Sequence, residues 1–215
     1  VITKDYYPIF IDLSNFRILI IGGGKVGTKR ALAFKRYGAD VSVLSLDFSQ
    51  DLLNSDIRLI RDDANKIDSN LIEKYDIILT CTNNSELNEK LCNIAKNLRK
   101  LCNNPTNPEN SNFIVPIFYS DNDLEIAITT RGKSSILAKE ILTKTISIAN
   151  SSEIRNLLGI MYDVKILLKK KVADPSVRYS LYHKIYNDEK FKYYATNGLI
   201  NKALNRAEEI INEQG

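Results

Sequence analysis

The sequence predicts an α/β fold: a parallel sheet first, then a strand pair, then helices alone. Three observations carry this. Short β-branched apolar runs alternate with helix-period segments as far as Lys100. Two strand-like runs joined by a polar link follow. From Ser151 onward the pattern is helical throughout.

Each element has its own signal. Ile9-Phe10-Ile11 reads as a short opening strand. Arg17-Ile18-Leu19-Ile20-Ile21 is a β-branched run ending in glycines, the pattern of a strand buried on both faces. Residues from Lys25 to Tyr37 form a helix that Gly38 closes in the C′ position. Val41–Leu44, Ile57–Ile60 and Tyr75–Thr80 are the next three strands. Ser85 opens a helix reaching Leu98. Asn103-Asn104-Pro105-Thr106-Asn107-Pro108 is a turn-rich loop. Phe113–Tyr119 and Leu124–Thr129, linked by Ser120-Asp121-Asn122-Asp123, make a hairpin. A helix runs from Ser134 to Ala149, and later helices break at Asp174-Pro175 and Asn197-Gly198.

Composition sets the outer bounds. The 215 residues are 44% hydrophobic and 26% charged, ordinary for a globular chain that buries a core. No apolar run approaches the roughly 20 residues of a spanning helix, and no membrane association is expected. Acidic Asp5 and Asp12 near the start do not fit a secretory signal, so a cytoplasmic home is expected. The net charge is +4, with the surplus mostly C-terminal, as in Lys169-Lys170-Lys171. A solvated helix face accounts for it, and nucleic-acid binding is not expected. Cys81, Cys92 and Cys102 lack metal-ligand spacing and read as buried or half-buried thiols. His183 is the one histidine, so neither a His-based triad nor a His-rich metal site can form, and no metal site is expected. It reads as a surface or packing residue rather than a metal ligand, and Tyr179, Tyr182, Tyr186, Tyr193 and Tyr194 read as helical core and interface packing, with a wall for a flat macrocycle as the alternative.

Gly22-Gly23-Gly24-Lys25-Val26-Gly27 satisfies G-x-G-x-x-G between a strand and a helix. Gly22 allows the tight turn, Gly24 lets backbone approach a pyrophosphate, and Gly27 permits close helix–strand packing. The amides of Lys25 and Val26 open the helix, where unpaired N–H groups meet an anion. This is the signature of a dinucleotide-binding Rossmann fold. An acid about 20 residues on ordinarily meets the adenosine ribose. Here the second strand runs out at Leu46-Asp47, so Asp47 is either that ligand or a solvated loop acid. No arginine adjoins it in sequence, which favours NAD over NADP. Thr80, Thr82 and Asn83 end the fourth strand at the same sheet edge, as cofactor contacts or as ordinary capping groups.

Together these segments resemble the precorrin-2 dehydrogenase family of sirohaem synthesis, which includes the N-terminal half of sirohaem synthase. Five stretches carry the resemblance: Tyr7–Leu13, Gly22–Arg30, Thr82–Asn84 with Leu87-Asn88, Phe113–Pro116, and Leu124–Ile141. The resemblance implies an NAD-binding Rossmann domain over residues 1–112, a central dimerisation region over 113–150, and a helical C-terminal domain over 151–215. It implies a homodimer that oxidises precorrin-2, a tetrapyrrole rich in carboxylates, to sirohydrochlorin with NAD; some members also insert ferrous iron. Thr129-Thr130-Arg131-Gly132-Lys133-Ser134 suits such a substrate, with Thr129, Lys133 and Ser134 as contacts, or else is an N-cap beside a solvated lysine.

The chain departs from the family at one important place. The family's acidic residue before Phe-Ile-x-Pro, taken as its general base, falls at Thr106, which cannot act as a base at neutral pH. Asn83 and Asn84 also stand where the family has acids, and Glu109 is the nearest loop carboxylate. No catalytic residue is therefore assigned. The alternatives are a chelatase alone, a relative that binds NAD or tetrapyrrole without turnover, and a different Rossmann oxidoreductase.

Overall fold

The computed structural model describes residues 4–213, which fall into two compact units. One takes the chain up to Pro116 together with Thr129–Ser135; the other takes Ile117–Ile128 and the chain from Ile136.

The first unit is built on β1 (Arg17–Ile21), α1 (Lys25–Arg36), β2 (Asp40–Ser45), α2 (Gln50–Leu53), β3 (Arg58–Arg61), α3 (Ser69–Glu73), β4 (Ile77–Thr80), α4 (Ser85–Asn97) and β5 (Leu101–Asn103). The strands form one parallel sheet in the order β3-β2-β1-β4-β5. Strand alternation sends Ile18 and Ile20 to one face, where they meet Ala31, Val43 and Leu79. It sends Leu19 and Ile21 to the other, against Ile78, Leu91 and Cys102. Helices cover both faces, which is why β1 and β4 are almost wholly apolar. The strand order reverses beside β1, between β2 and β4, and a crevice opens there at the carboxyl ends of the strands.

The structure corrects several local expectations. Ile9-Phe10-Ile11 is not a strand; Ile9 and Phe10 lie 64% and 67% exposed, and the sheet edges are β3 and β5. Phe113–Pro116 is irregular, so the hairpin is shorter than its apolar runs suggest. Asn84, not Ser85, caps α4, its side-chain oxygen accepting from the Leu87 amide at 3.1 Å. Cys92 and Cys102 are not thiols but a disulfide, with Cα atoms 5.6 Å apart, because α4 packs directly on β5. Gly38 closes α1 with φ +84°, as expected.

The second unit holds β6 (Ile117–Ser120) and β7 (Glu125–Ile128), an antiparallel pair, followed by α5 (Ser135–Ala149), α6 (Ser152–Lys171), α7 (Pro175–Asn187), α8 (Glu189–Thr196) and α9 (Ile200–Asn212). Asp121 organises the hairpin turn by accepting from the amides of Asp123 and Leu124, and Arg155 of α6 pairs with it. Ser151, Asp174 and Asp188 cap α6, α7 and α8. Phe191, Val164, Ile185 and Ala207 are at the centre of this core. His183 lies edge-on to Tyr179, with ring centroids 4.5 Å apart. Tyr182 and Tyr194 pack against the core, whereas Tyr179 and Tyr193 are exposed.

Candidate functional site

The cleft at the sheet's carboxyl edge has a volume of about 600 Å³. Its floor is the glycine turn, and each glycine there answers a different constraint. Gly22 has φ +116°, and a Cβ on it would come within 2.5 Å of the Cys81 carbonyl oxygen. A Cβ on Gly27 would meet the Gly22 carbonyl oxygen at 1.9 Å. These two positions are closed by the protein itself. Gly24 differs: a Cβ there meets no atom within 4 Å. It is also the N-cap of α1, with no side chain capping the helix and no acid in the first turn. The first amides of α1 are thus left for a ligand, and the dipole favours an anion. A dinucleotide pyrophosphate fits this cradle.

Of the residues expected at a cofactor, Gly22, Gly24, Leu46, Asp47, Thr82 and Asn83 line the cleft. Lys25 and Val26 stand exposed on the first turn of α1, and Gly27 is buried behind the turn. Thr80 is fully buried, its hydroxyl without a hydrogen-bond partner among the described residues. Thr129, Lys133 and Ser134 are on a separate loop that does not contribute to the cleft lining. That loop is fixed by its own bonds: the Thr130 hydroxyl accepts from the Ser134 amide at 3.1 Å and donates to the Ser134 carbonyl at 2.9 Å. Arg131 and Gly132 both take positive φ, and Lys133 is exposed.

The two rims of the cleft differ in chemistry. At the β2–β3 rim, Arg61 donates to the Leu46 carbonyl at 2.7 Å, lies 3.6 Å from the Asp47 carboxylate and sits 5.4 Å from the Phe48 ring centroid. An arginine therefore does adjoin Asp47, in space rather than in sequence. The β2–β3 register pairs Ser45 with Arg61, and that pairing is the signal that finds it. Asp62 and Asp63 follow on the same rim, but their carboxylates are used locally. Asp62 accepts from the Asp63 amide at 2.7 Å, and Asp63 accepts from the Asn65 amide at 2.9 Å, a bond that lowers its pKa.

At the β4 rim, Asn88 is fully buried and makes four hydrogen bonds. Its Oδ1 accepts from the Thr82 amide at 3.1 Å and hydroxyl at 2.7 Å. Its Nδ2 donates to the Thr82 carbonyl at 2.9 Å and to the Thr106 hydroxyl at 3.3 Å. Thr106 in turn donates to Asn104 Oδ1 at 2.7 Å. The Thr106 hydroxyl is thus bound into a network of amides and hydroxyls. Cys81, also on the cleft wall, has its thiol pushed up to about 11 by burial, partly offset by the positive charge of Arg30. Arg30 is half-buried, which lowers its own pKa, and it has no hydrogen-bond or ion-pair partner among the described residues. In the sequence Arg30 is one of several basic residues after the turn, with Lys25 and Lys29, and nothing there distinguishes it. Among the described residues no three of His, Cys, Asp and Glu are grouped so as to hold a metal ion.

Sheet order, glycine cradle and crevice define a Rossmann-type dinucleotide-binding protein. A family model described as "Putative NAD(P)-binding" matches residues 9–117, just over half of the chain. The chain is 30% identical over 194 residues to a protein of Methanocaldococcus jannaschii named "Putative precorrin-2 dehydrogenase", covering 86% of this chain and 92% of that one. It is 30% identical to a precorrin-2 dehydrogenase of Methanosarcina barkeri, over 87% of this chain and 85% of that one. The chain belongs to the precorrin-2 dehydrogenase family. A siroheme synthase of Psychromonas ingrahamii is 24% identical over 97% of this chain, which spans only 44% of that longer protein. A solved structure named SirC, precorrin-2 dehydrogenase, shares the fold with a TM-score of 0.67 at 22% identity, over 95% of this chain and 100% of that one.

Proposed function

We propose that the chain oxidises precorrin-2 to sirohydrochlorin with NAD, within sirohaem synthesis. The observation that carries this is the open cradle at Gly24, at the strand-order reversal, in a member of this family. The amides at the start of α1 hold the pyrophosphate, Asp47 takes the adenosine ribose, and Thr82 and Asn83 bound the nicotinamide end. Bound NAD supplies a hydride acceptor. The protein's part is to hold the reacting carbon against it and to neutralise the substrate's carboxylates. Lys133 on its strained loop and the unpaired Arg30 are the cations for those arms. Thr106 does not take the proton, because its hydroxyl is already committed to Asn88 and Asn104; the proton leaves to water.

Ferrous-iron insertion into sirohydrochlorin needs the pyrrole nitrogens deprotonated, and the loop around Thr106 offers neutral amides and hydroxyls for that task. The reading is therefore a dehydrogenase without efficient chelation. The chain works as a homodimer through the region 113–150. Supporting this, α5 buries only Ala138 and Leu142 and leaves Ile136, Leu137, Ile141 and Ile148 exposed. The cytoplasm, with its nicotinamide pool, is the compartment the reading requires. No helix among the described residues is long and apolar enough to cross a membrane.

The test incubates purified protein with precorrin-2 under anaerobic conditions, with and without NAD. Sirohydrochlorin and NADH should form together; absence of both at high enzyme concentration would remove the dehydrogenase reading.

A further inference from the structure

We infer that Arg61 and Phe48 form a latent site for a ribose 2′-phosphate, and that Asp47 alone closes it. The inference rests on the cleft being a dinucleotide site and goes beyond that reading by assigning the choice between NAD and NADP to named groups.

Three contacts position the Arg61 guanidinium, and two do not involve Asp47: the bond to the Leu46 carbonyl at 2.7 Å and the stack over Phe48 at 5.4 Å. The cation therefore stays in place when Asp47 is neutralised. Asp47 contributes the third contact, a 3.6 Å ion pair, and its side chain is 99% exposed. Its main chain is fixed beside the phosphate turn, since a Cβ on Gly23 would come within 2.4 Å of the Asp47 carbonyl oxygen. That places the carboxylate at the ribose end of the cleft, next to the guanidinium. The other rim carboxylates compete less. Asp62 and Asp63 are engaged with the amides of Asp63 and Asn65.

The physical consequence is a balance of charge. With Asp47 ionised, a 2′-phosphate meets a carboxylate and is repelled, while ribose hydroxyls donate to it. With Asp47 neutral, the same position offers a planar guanidinium already stacked and bonded, the geometry that suits a phosphate. The Arg61 side chain is 65% exposed, so exchanging either residue leaves the core untouched.

The experiment measures binding of NADH and NADPH by fluorescence titration at low salt, without tetrapyrrole, for the natural chain, D47N, D47S, R61A and D47N/R61A. The natural chain should prefer NADH. D47N and D47S should gain at least tenfold in NADPH affinity and lose NADH affinity. D47N/R61A should lose that gain, and added salt should erode it in D47N. NADPH binding as tight as NADH in the natural chain, no gain in D47N and D47S, or a gain that persists without Arg61 would each overturn the inference. Failure of the natural chain to bind NADH would remove the dinucleotide reading itself, and the inference with it.

Discussion

The β2–β3 rim and the β4 rim of one cleft are built on opposite principles. The first carries exposed charge: Asp47 and Arg61 stand in solvent, held by an ion pair and a ring face. The second carries neutral polarity: the buried Asn88 and Asn104 are joined by amides and hydroxyls through Thr106, which is itself exposed. Charge in solvent can be exchanged at little cost to stability and mainly alters which ligand binds. A buried polar network cannot, because each lost partner leaves another group unpaired. One rim is thus suited to selecting a cofactor, and the other to holding geometry.

The sharpest way to break that comparison is between them, on the floor. Gly24→Val adds a side chain into open space, with an extended φ of −76° that any residue adopts. Folding should be unchanged within about 0.5 kcal/mol, as at other surface positions, while NAD binding falls below detection by calorimetry. Loss of folding, or retained binding, would remove the cradle assignment. Next is Asn88→Ala, which strips four hydrogen bonds from the β4 rim. It should cost about 3 kcal/mol in urea unfolding, several times the cost of D47N. Equal costs would dissolve the distinction between the rims.

Smaller effects sharpen the picture. Asp188→Ala in the helical unit should lose about 1 kcal/mol, the worth of the α8 cap. Its bonds to Arg206 and to the Phe191 amide hold the carboxyl below the usual range. That stabilisation is present in full above about pH 4 and fades as pH falls through the lowered value, so the difference from the natural chain should vanish in acid. Cys81 should react slowly with iodoacetamide in the native state below about pH 9, because burial keeps the thiol protonated. Rapid native labelling at neutral pH would show that wall of the cleft to be open.

Legibility in the sequence follows the same physics. β1, α1, β2 and β4 are readable because long apolar runs and a glycine turn each have one good solution. α2, α3 and β5 are not, since QDLL, SNLIE and LCN are short and mix polar with apolar residues, with neither a dense β-branched run nor enough length to show a helical period. Ile9–Ile11 has the composition of a strand but no strand to pair with, and pairing is a tertiary fact. The spacing from the glycine turn points to Asp47 and the end of the fourth strand points to Thr82, and both line the cleft. Arg61 is not legible in the sequence, because only the parallel register brings it to Asp47. The neutrality of the Thr106 position was plain from the residue, whereas its capture by Asn88 and Asn104 required the folded loop. The disulfide between Cys92 and Cys102 likewise depended on α4 lying over β5.

The most direct test is a stoichiometric one. With precorrin-2 and NAD held anaerobically with the natural chain, each sirohydrochlorin formed should be matched by one NADH, and Gly24→Val should yield neither. Sirohydrochlorin appearing without NADH, or at the same rate in the Gly24 variant, would contradict a hydride passing to a dinucleotide held on this turn.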